Sequence, residues 1–164
     1  MKTPFPNSSH DHEHCRKTIL QRADTVCREK GGRLTPNRRE VLAILSNSHR
    51  SLGAYDILER FETNSSRRPA PSAVYRSLEF LMEMGLVHRL GSRNAFFACM
   101  RPELGNQTQF WICQDCGVVG ETESQEIANT LPSLAENMGF KLAQVHLEIE
   151  GTCPECQVYQ ESPA

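Results

Sequence analysis

The 164-residue sequence lacks the features that define several common protein classes. It has no apolar run near the ~20 residues that a membrane-spanning helix needs, and residues 1–14 are polar, without the apolar stretch of a secretion signal. It also lacks a nucleophile elbow, a phosphate-binding loop and an H-E-x-x-H motif, so we predict no catalytic residues. We therefore expect a cytoplasmic protein that is not an enzyme, with no membrane partner and no small-molecule substrate beyond a metal ion.

Opposite charges are divided unevenly between the two halves of the chain. Residues 1–98 hold 16 of the 18 Lys and Arg against 10 Asp and Glu, whereas residues 99–164 hold 2 against 10. A basic, Arg-rich half suits a nucleic-acid surface, because neutralising phosphates is the main sequence-independent source of affinity. The acidic half should sit away from such a polyanion. A charge asymmetry without function is the alternative at this point.

Helical periodicity and turn residues divide the basic half into a series of short elements. Gly31 and Gly32 end the first helix, and Thr35 with Pro36 starts the second as an N-cap followed by proline at the first helical position. The predicted elements are helices over about 17–30, from 36, over about 54–62 and over about 72–84, then β-prone runs at 86–90 and 95–99 joined by a turn at 91–94. This order predicts a winged helix-turn-helix.

The fourth predicted helix has two distinct faces. Val74, Leu78 and Leu81 share one side, as core residues do, while Ser72, Tyr75 and Arg76 point outward near its N-terminus. A helix start that presents a hydroxyl, an aromatic ring and an arginine suits entry into the major groove. Taken alone, the pattern also fits an ordinary surface helix, and the surrounding helices, basic loop and wing favour recognition.

Four of the seven cysteines form two C-x-x-C pairs in the acidic half. Cys113 and Cys116 make the first pair, and Cys153 and Cys156 make the second, with 36 residues between the pairs. In a reducing compartment such pairs favour a structural zinc site over disulfides or a dithiol redox centre, because two turns complete a tetrahedron of thiolates. The 60-odd residues around them predict strands and one helix, a unit small enough to need a metal and a dimer interface.

These observations together predict an α+β protein. We expect a His-rich flexible arm over 1–16, a winged helix-turn-helix DNA-binding domain over 17–98 and a small α/β dimerisation and metal-binding domain over 99–164. The arm contains His10, His12, His14 and Cys15, a composition typical of metal binding and equally of a disordered polar tail.

Three further residues near the predicted domain junction form a plausible second zinc set. His88 lies in the first wing run, Cys99 ends the second, and Glu121 follows five residues after Cys116. A nitrogen, a thiolate and a carboxylate are all ordinary zinc ligands. Each also has a simpler explanation: a surface residue of the wing, a small buried hydrophobe and a solvated charge, respectively.

Several segments carry a family resemblance that covers about residues 17–157. They are R-L-T-P-N-R-R at 33–39, G-A-Y-D-I-L at 53–58, S-A-V-Y-R-S-L-E-F-L at 72–81, G-L-V-H-R at 85–89 and the paired C-x-x-C motifs. The sequence resembles the ferric-uptake-regulator family, and especially its zinc-uptake-regulator branch. That family consists of homodimeric, metal-responsive repressors with an N-terminal winged helix and a C-terminal dimerisation domain.

The resemblance implies a zinc-responsive repressor that binds double-stranded operator DNA as a homodimer and controls zinc-uptake genes. It implies a structural zinc on the four cysteines of the C-x-x-C pairs, a regulatory zinc on His88, Cys99 and Glu121, and DNA contacts from Arg33, Tyr55, Tyr75 and Arg76. The alternatives are a sibling that senses iron, manganese or peroxide, a metal-insensitive DNA-binding member and, less favoured, a thiol oxidoreductase.

One position departs from the pattern of the zinc branch. In that branch the fourth sensing ligand is a histidine seven residues before the first cysteine of the first C-x-x-C pair. In this sequence that cysteine is Cys113, and the position seven residues before it is Asn106. Glu103, water or the N-terminal histidines are the candidates for the fourth position. Three protein ligands and an exchangeable one should bind zinc more weakly than a closed tetrahedron.

Asn106→His should therefore tighten the zinc response. The substitution restores a fourth protein ligand, so half-maximal operator binding should occur at a lower free zinc concentration than in the wild type. The measurement is operator binding titrated against buffered free zinc, with the structural site fully loaded. An unchanged or higher midpoint would contradict this prediction.

Overall fold

The computed structural model describes residues 3–6, 11–64, 69–102, 104, 108–143 and 145–161. The chain divides into two compact units, one over Pro6–Met100 and one that comprises Met1–Phe5 and Arg101–Ala164. None of the helices in the described ranges combines the length and apolarity needed to cross a membrane.

The first unit is a winged helix-turn-helix, which confirms the predicted fold class. Its elements in order are α1 (His12–Glu29), α2 (Pro36–Ser46), α3 (Ala54–Asn64), α4 (Pro71–Glu83), β1 (Val87–Leu90) and β2 (Ala95–Ala98). The two strands pair antiparallel, with His88 opposite Phe97 and Val87 opposite Ala98. Leu52 adds a bridge to Phe96, with both backbone hydrogen bonds at 2.8 Å, and extends the wing sheet toward the start of α3.

Helix α1 begins earlier than the sequence indicates. We expected a flexible arm over 1–16 and a helix from residue 17, but Asp11 caps α1 ahead of His12. Its carboxylate accepts hydrogen bonds from the backbone N–H groups of Glu13 at 3.0 Å and His14 at 3.2 Å, which satisfies two donors of the first turn. The arm's His12, His14 and Cys15 consequently lie on a helix, whereas His10 is outside the described residues.

The core of the first unit is built from the apolar stripes that the sequence displays. Val74, Leu78 and Leu81 of α4 are at most 1% exposed, as their spacing predicts. They join a cluster that includes Leu42 of α2 and Ile57 of α3. Burial of each such side chain stabilises the fold by roughly 1.5–3 kcal/mol. The opposite face of α4, which carries Ser72, Tyr75 and Arg76, is exposed to solvent.

The second unit is a three-stranded sheet with two helices. Its elements are β3 (Gln109–Cys113), β4 (Val119–Thr122), α5 (Gln125–Asn137), β5 (Leu147–Gly151) and α6 (Pro154–Glu161). The strand order is β4-β3-β5, with β3 and β4 antiparallel and β3 and β5 parallel. The apolar alternation of Ala143, Val145, Leu147 and Ile149 predicts a strand from residue 143. The observed strand β5 begins only at Leu147, where pairing with Gln109 begins.

Large apolar side chains of the second unit remain exposed. Of the nine large hydrophobic residues that are exposed in the described part of the chain, six lie between residues 134 and 159: Leu134, Met138, Phe140, Leu142, Val158 and Tyr159. Exposed apolar area at this density is typical of a protein interface.

Candidate metal centre and nucleic-acid interface

Parallel pairing of β3 and β5 brings the two C-x-x-C pairs to one end of the second unit's sheet. Cys113 is the last residue of β3 and lies opposite Gly151, the last residue of β5, so Cys153 follows at the same edge. The N–H of Gln114 donates to the carbonyl of Gly151 at 2.8 Å and extends this pairing by one step.

Each cysteine pair is held in a tight backbone turn. The N–H of Gly117 donates to the carbonyl of Cys113 at 3.0 Å, and Gly117 has a φ of 74°, a conformation that glycine adopts without strain. In the second pair the N–H of Cys153 donates to the sulfur of Cys113 at 3.3 Å, while Cys156 lies in the first turn of α6. The local turns orient both thiols of each pair toward the other pair.

The four sulfur atoms form a compact cluster that fits zinc. All lie within 4.8 Å of one another, and the sulfurs of Cys116 and Cys153 are 3.8 Å apart. Four thiolates at a Zn–S distance of about 2.3 Å in a tetrahedron are about 3.8 Å apart, so the cluster has the dimensions of a structural Cys₄ site. The same separation is far longer than the ~2.05 Å of a disulfide, and none of the seven cysteines, which all lie in the described ranges, forms a disulfide.

The thiols of the cluster differ in pKa. Burial raises the pKa of the Cys113 thiol, but backbone N–H groups of Cys116 and Cys153 hydrogen-bond to its sulfur and lower the pKa to about 6. Burial and hydrogen bonds among the thiols raise the pKa of Cys116 and that of Cys156. Cys113 is thus ready to bind as a thiolate, whereas a divalent cation must displace protons from Cys116 and Cys156.

His88 and Cys99 come together at the base of the wing in the first unit. His88 lies on β1 with its ring 5.4 Å from that of Phe97, and Cys99 directly follows β2 with only 2% of its surface exposed. The ligand atoms of the two residues lie within 4.8 Å of each other. The pair therefore offers a nitrogen and a sulfur donor to one cation.

Glu121, the third residue of this predicted set, lies on β4 of the second unit. Its side chain is 4% exposed, and its Oε2 accepts a hydrogen bond from the backbone N–H of Arg101 at 2.7 Å. Glu103, a candidate for the fourth position, is outside the described residues, and so are Asn106, which replaces the expected histidine, and His10 of the arm. The ring of His12 lies 5.1 Å from that of His49, a contact between α1 and the chain after α2.

The residues predicted to contact DNA are all exposed on the basic unit. Tyr75 is 42% exposed and Arg76 is also exposed, both near the N-terminus of α4, and Tyr55 is 69% exposed at the start of α3. Arg33 is exposed in the segment before α2, where its carbonyl accepts a hydrogen bond from Arg38 at 2.6 Å. Exposed cationic and aromatic groups around a helix start can contact base edges and phosphates.

Sequence reasoning missed two arginines that contact proposed ligands. The guanidinium of Arg22 donates to the carbonyl of Cys99, and the backbone of Arg101 holds the Glu121 carboxylate. These partners are 77 and 20 residues apart, so no local spacing signals them. The only local signal in the sequence is the charge of Arg22 among the apolar positions of α1.

Cys156→Ser should remove zinc from the four-cysteine site and destabilise the second unit, because folding and metal binding are coupled in small Cys₄ modules. We expect loss of one zinc per chain, a lower thermal unfolding midpoint and loss of the dimer. Metal content, calorimetry and sedimentation measure the three effects. Cys15→Ser, outside the cluster, is the matched control. A folded Cys156→Ser dimer with wild-type zinc content would show that the four cysteines are not one site.

Comparison with known proteins gives relatives over nearly the whole chain. The zinc uptake regulation protein of Escherichia coli (strain K12) is 34% identical over 139 residues, which cover 84% of this chain and 81% of that protein. The peroxide operon regulator of Bacillus subtilis (strain 168) is 30% identical, with 84% and 92% covered.

Solved structures and a family model agree with these relatives. A structure described as a zinc uptake regulator complexed with zinc and DNA matches with a TM-score of 0.81 and 32% identity, over 90% of this chain and 98% of that one. The crystal structure of holo XcZur matches with a TM-score of 0.75 and 34% identity, over 86% and 98%. The model of the ferric uptake regulator family matches residues 29–150. The resemblance inferred from sequence is confirmed, and this chain belongs to the ferric uptake regulator family.

Proposed function

We propose that the protein is a zinc-responsive transcriptional repressor that binds operator DNA as a homodimer and controls zinc-uptake genes. The observation that carries this proposal is the His88–Cys99 pair, a metal-binding nitrogen and sulfur within 4.8 Å inside the unit that exposes the DNA-contact candidates. Its relatives include a zinc uptake regulator whose structure contains zinc and DNA. Such a protein works in the cytoplasm, where thiols stay reduced, and needs no catalytic residue.

DNA binding follows from the surface of the winged-helix unit. Arg76 extends from the N-terminal part of α4, and a guanidinium there can pair with the O6 and N7 of guanine in the major groove. Tyr75 and Tyr55 supply exposed rings for thymine methyl groups or sugars, and Arg33 supplies a charge for phosphate. The excess of Lys and Arg in residues 1–98 adds affinity that does not depend on sequence.

The second unit supports assembly into a homodimer. It exposes apolar side chains such as Met138 at 74% and Phe140 at 62%, and it is small for an independent domain. A second copy of the same surface would cover them, as closed symmetric dimers do. The four-cysteine site stabilises the sheet and α6 on which part of this surface lies, so we assign its zinc a structural role.

The regulatory zinc is assigned to His88, Cys99 and Glu121. A bound zinc would supply a positive charge that holds one thiolate, one imidazole and one carboxylate together. A zinc held by all three residues would favour the arrangement of the chain in which they can bind it together. A ligand shifts an equilibrium only by its differential affinity, so zinc activates DNA binding if the zinc-binding arrangement is also the DNA-binding one.

Arg76→Ala should weaken specific DNA binding while the fold stays intact. A bidentate arginine–guanine pair contributes ~1–3 kcal/mol of discrimination, so the affinity ratio of a selected operator over a random duplex should fall by about 5- to 150-fold. The operator is selected from a random pool with zinc-loaded protein, and affinities are measured by fluorescence anisotropy. Arg16→Ala, an exposed arginine on α1, is the control. If both variants keep the wild-type ratio, Arg76 does not read bases.

Cys99→Ser should abolish zinc-dependent operator binding and leave the Cys₄ zinc in place. A serine hydroxyl is a much poorer zinc ligand than a thiolate, so the His88–Cys99 pair loses its main donor. Operator binding is titrated against buffered Zn²⁺, Fe²⁺ and Mn²⁺ with the structural site loaded, and Cys15→Ser is the control. If operator binding by Cys99→Ser responds to zinc as the wild type does, this sensing site is excluded and the arm's His12 and His14 become the next candidates. Activation by iron or manganese alone would favour a sibling sensor.

A further inference from the structure

Arg22, in the middle of α1, contacts the backbone of the proposed sensing cysteine. Its guanidinium donates a hydrogen bond to the carbonyl oxygen of Cys99, 77 residues further along the chain. Arg22 is half-buried, whereas Arg16 on the same helix is exposed. Both partners of this hydrogen bond belong to the winged-helix unit. Helix α1 is thereby attached to the point where the chain leaves the wing.

The backbone of Cys99 is held on both sides. Its N–H donates to the carbonyl of Leu86 at 2.9 Å, which continues the antiparallel pairing of Val87 with Ala98 by one step. Its carbonyl lies beyond the last strand pair, and Arg22 takes the place of a ladder donor there. The sheet thus fixes one side of Cys99, and α1 fixes the other.

We propose that Arg22 is a positioning residue for the metal-sensing site and holds the Cys99 thiol beside His88. This inference rests on the proposed function, because it assigns a supporting residue to the same site. Zinc binding requires the sulfur and the nitrogen to lie in a narrow geometry, and a backbone already fixed there loses less conformational freedom when the metal binds. Outer-sphere hydrogen bonds that orient ligands typically change metal affinity by 10- to 100-fold.

The charges around Arg22 leave its guanidinium available for this role. Asp24, the nearest acid along α1, forms an ion pair with Arg39 of α2. Helix α1 therefore binds α2 through Asp24 and Cys99 through Arg22. An arginine fork suits this site better than a lysine, whose ammonium is more strongly hydrated.

A purely structural role for Arg22 makes a different prediction. If the hydrogen bond only fastens α1 to the rest of the unit, its loss lowers the unfolding midpoint and leaves zinc affinity unchanged. If Arg22 positions Cys99, zinc affinity falls at the regulatory site alone. Metal affinity and metal-site spectroscopy therefore distinguish positioning from simple attachment.

The test compares Arg22→Met with the wild type, with Arg22→Lys and with Arg16→Met as a charge-matched control. The full-length dimer, with its Cys₄ site loaded, is titrated with Zn²⁺ against a competing chelator in the absence of DNA. We expect Arg22→Met to bind the regulatory zinc about tenfold more weakly, near the lower end for such hydrogen bonds. Arg22→Lys should recover part of the loss, and Arg16→Met should match the wild type.

Two further readouts accompany the titration. With Co²⁺ at the regulatory site, the thiolate-to-cobalt absorption band should change in Arg22→Met and return toward the wild type in Arg22→Lys. The content of Cys₄ zinc and the operator affinity at saturating zinc should stay at wild-type values, because Arg22 belongs neither to the four-cysteine cluster nor to the proposed DNA contacts. A change in those two values without a change in regulatory affinity would overturn the positioning role.

The outcomes separate this inference from the proposed function. A wild-type protein that binds only one zinc per chain overturns the sensing site and the role of Arg22 with it. A wild type that binds two, with Arg22→Met equal to it in regulatory affinity, overturns the role of Arg22 alone. If Arg22→Met does not fold, Arg22→Gln replaces it: wild-type affinity overturns the inference, and selective weakening supports it.

Discussion

Parallel pairing of β3 with β5 is the constraint on which the second unit depends. It joins segments about 40 residues apart and places both C-x-x-C pairs at one sheet edge, with the sulfurs of Cys116 and Cys153 3.8 Å apart. Parallel pairs need a long crossover, here through α5, and that loop entropy must be offset. A metal on four thiolates stabilises the closure where the sheet alone, with three short strands, is too small.

The first unit is built around an apolar core of its own. Its helices bury a common core, and the wing hairpin brings His88 and Cys99 within 4.8 Å through ordinary strand register. The pair is therefore placed by the register of the wing strands. In the proposed function, this separation would let the protein keep a structural zinc while it binds and releases a regulatory one. Loss of the regulatory zinc would then leave the fold in place.

Local sequence patterns predicted most of the architecture. The stripe Val74, Leu78 and Leu81 identified the buried face of α4, and the C-x-x-C spacing identified the cluster, because both signals depend on neighbours a few residues apart. The predicted start of α1 at residue 17 was wrong, because the side chain of Asp11 caps the helix and lets it begin at His12, before the apolar stripe. The contact of Arg22 with Cys99 was missed because it depends on tertiary packing, which no periodicity encodes.

The uneven division of charge would also orient the proposed encounter with DNA. The basic unit is attracted to phosphates and the acidic unit is repelled, so diffusional encounters are oriented before any base is read. Encounter rates of this kind fall steeply with ionic strength, whereas the lifetime of the complex depends on close contacts at the base edges. In the proposed function, orientation would therefore act as a kinetic filter before sequence recognition.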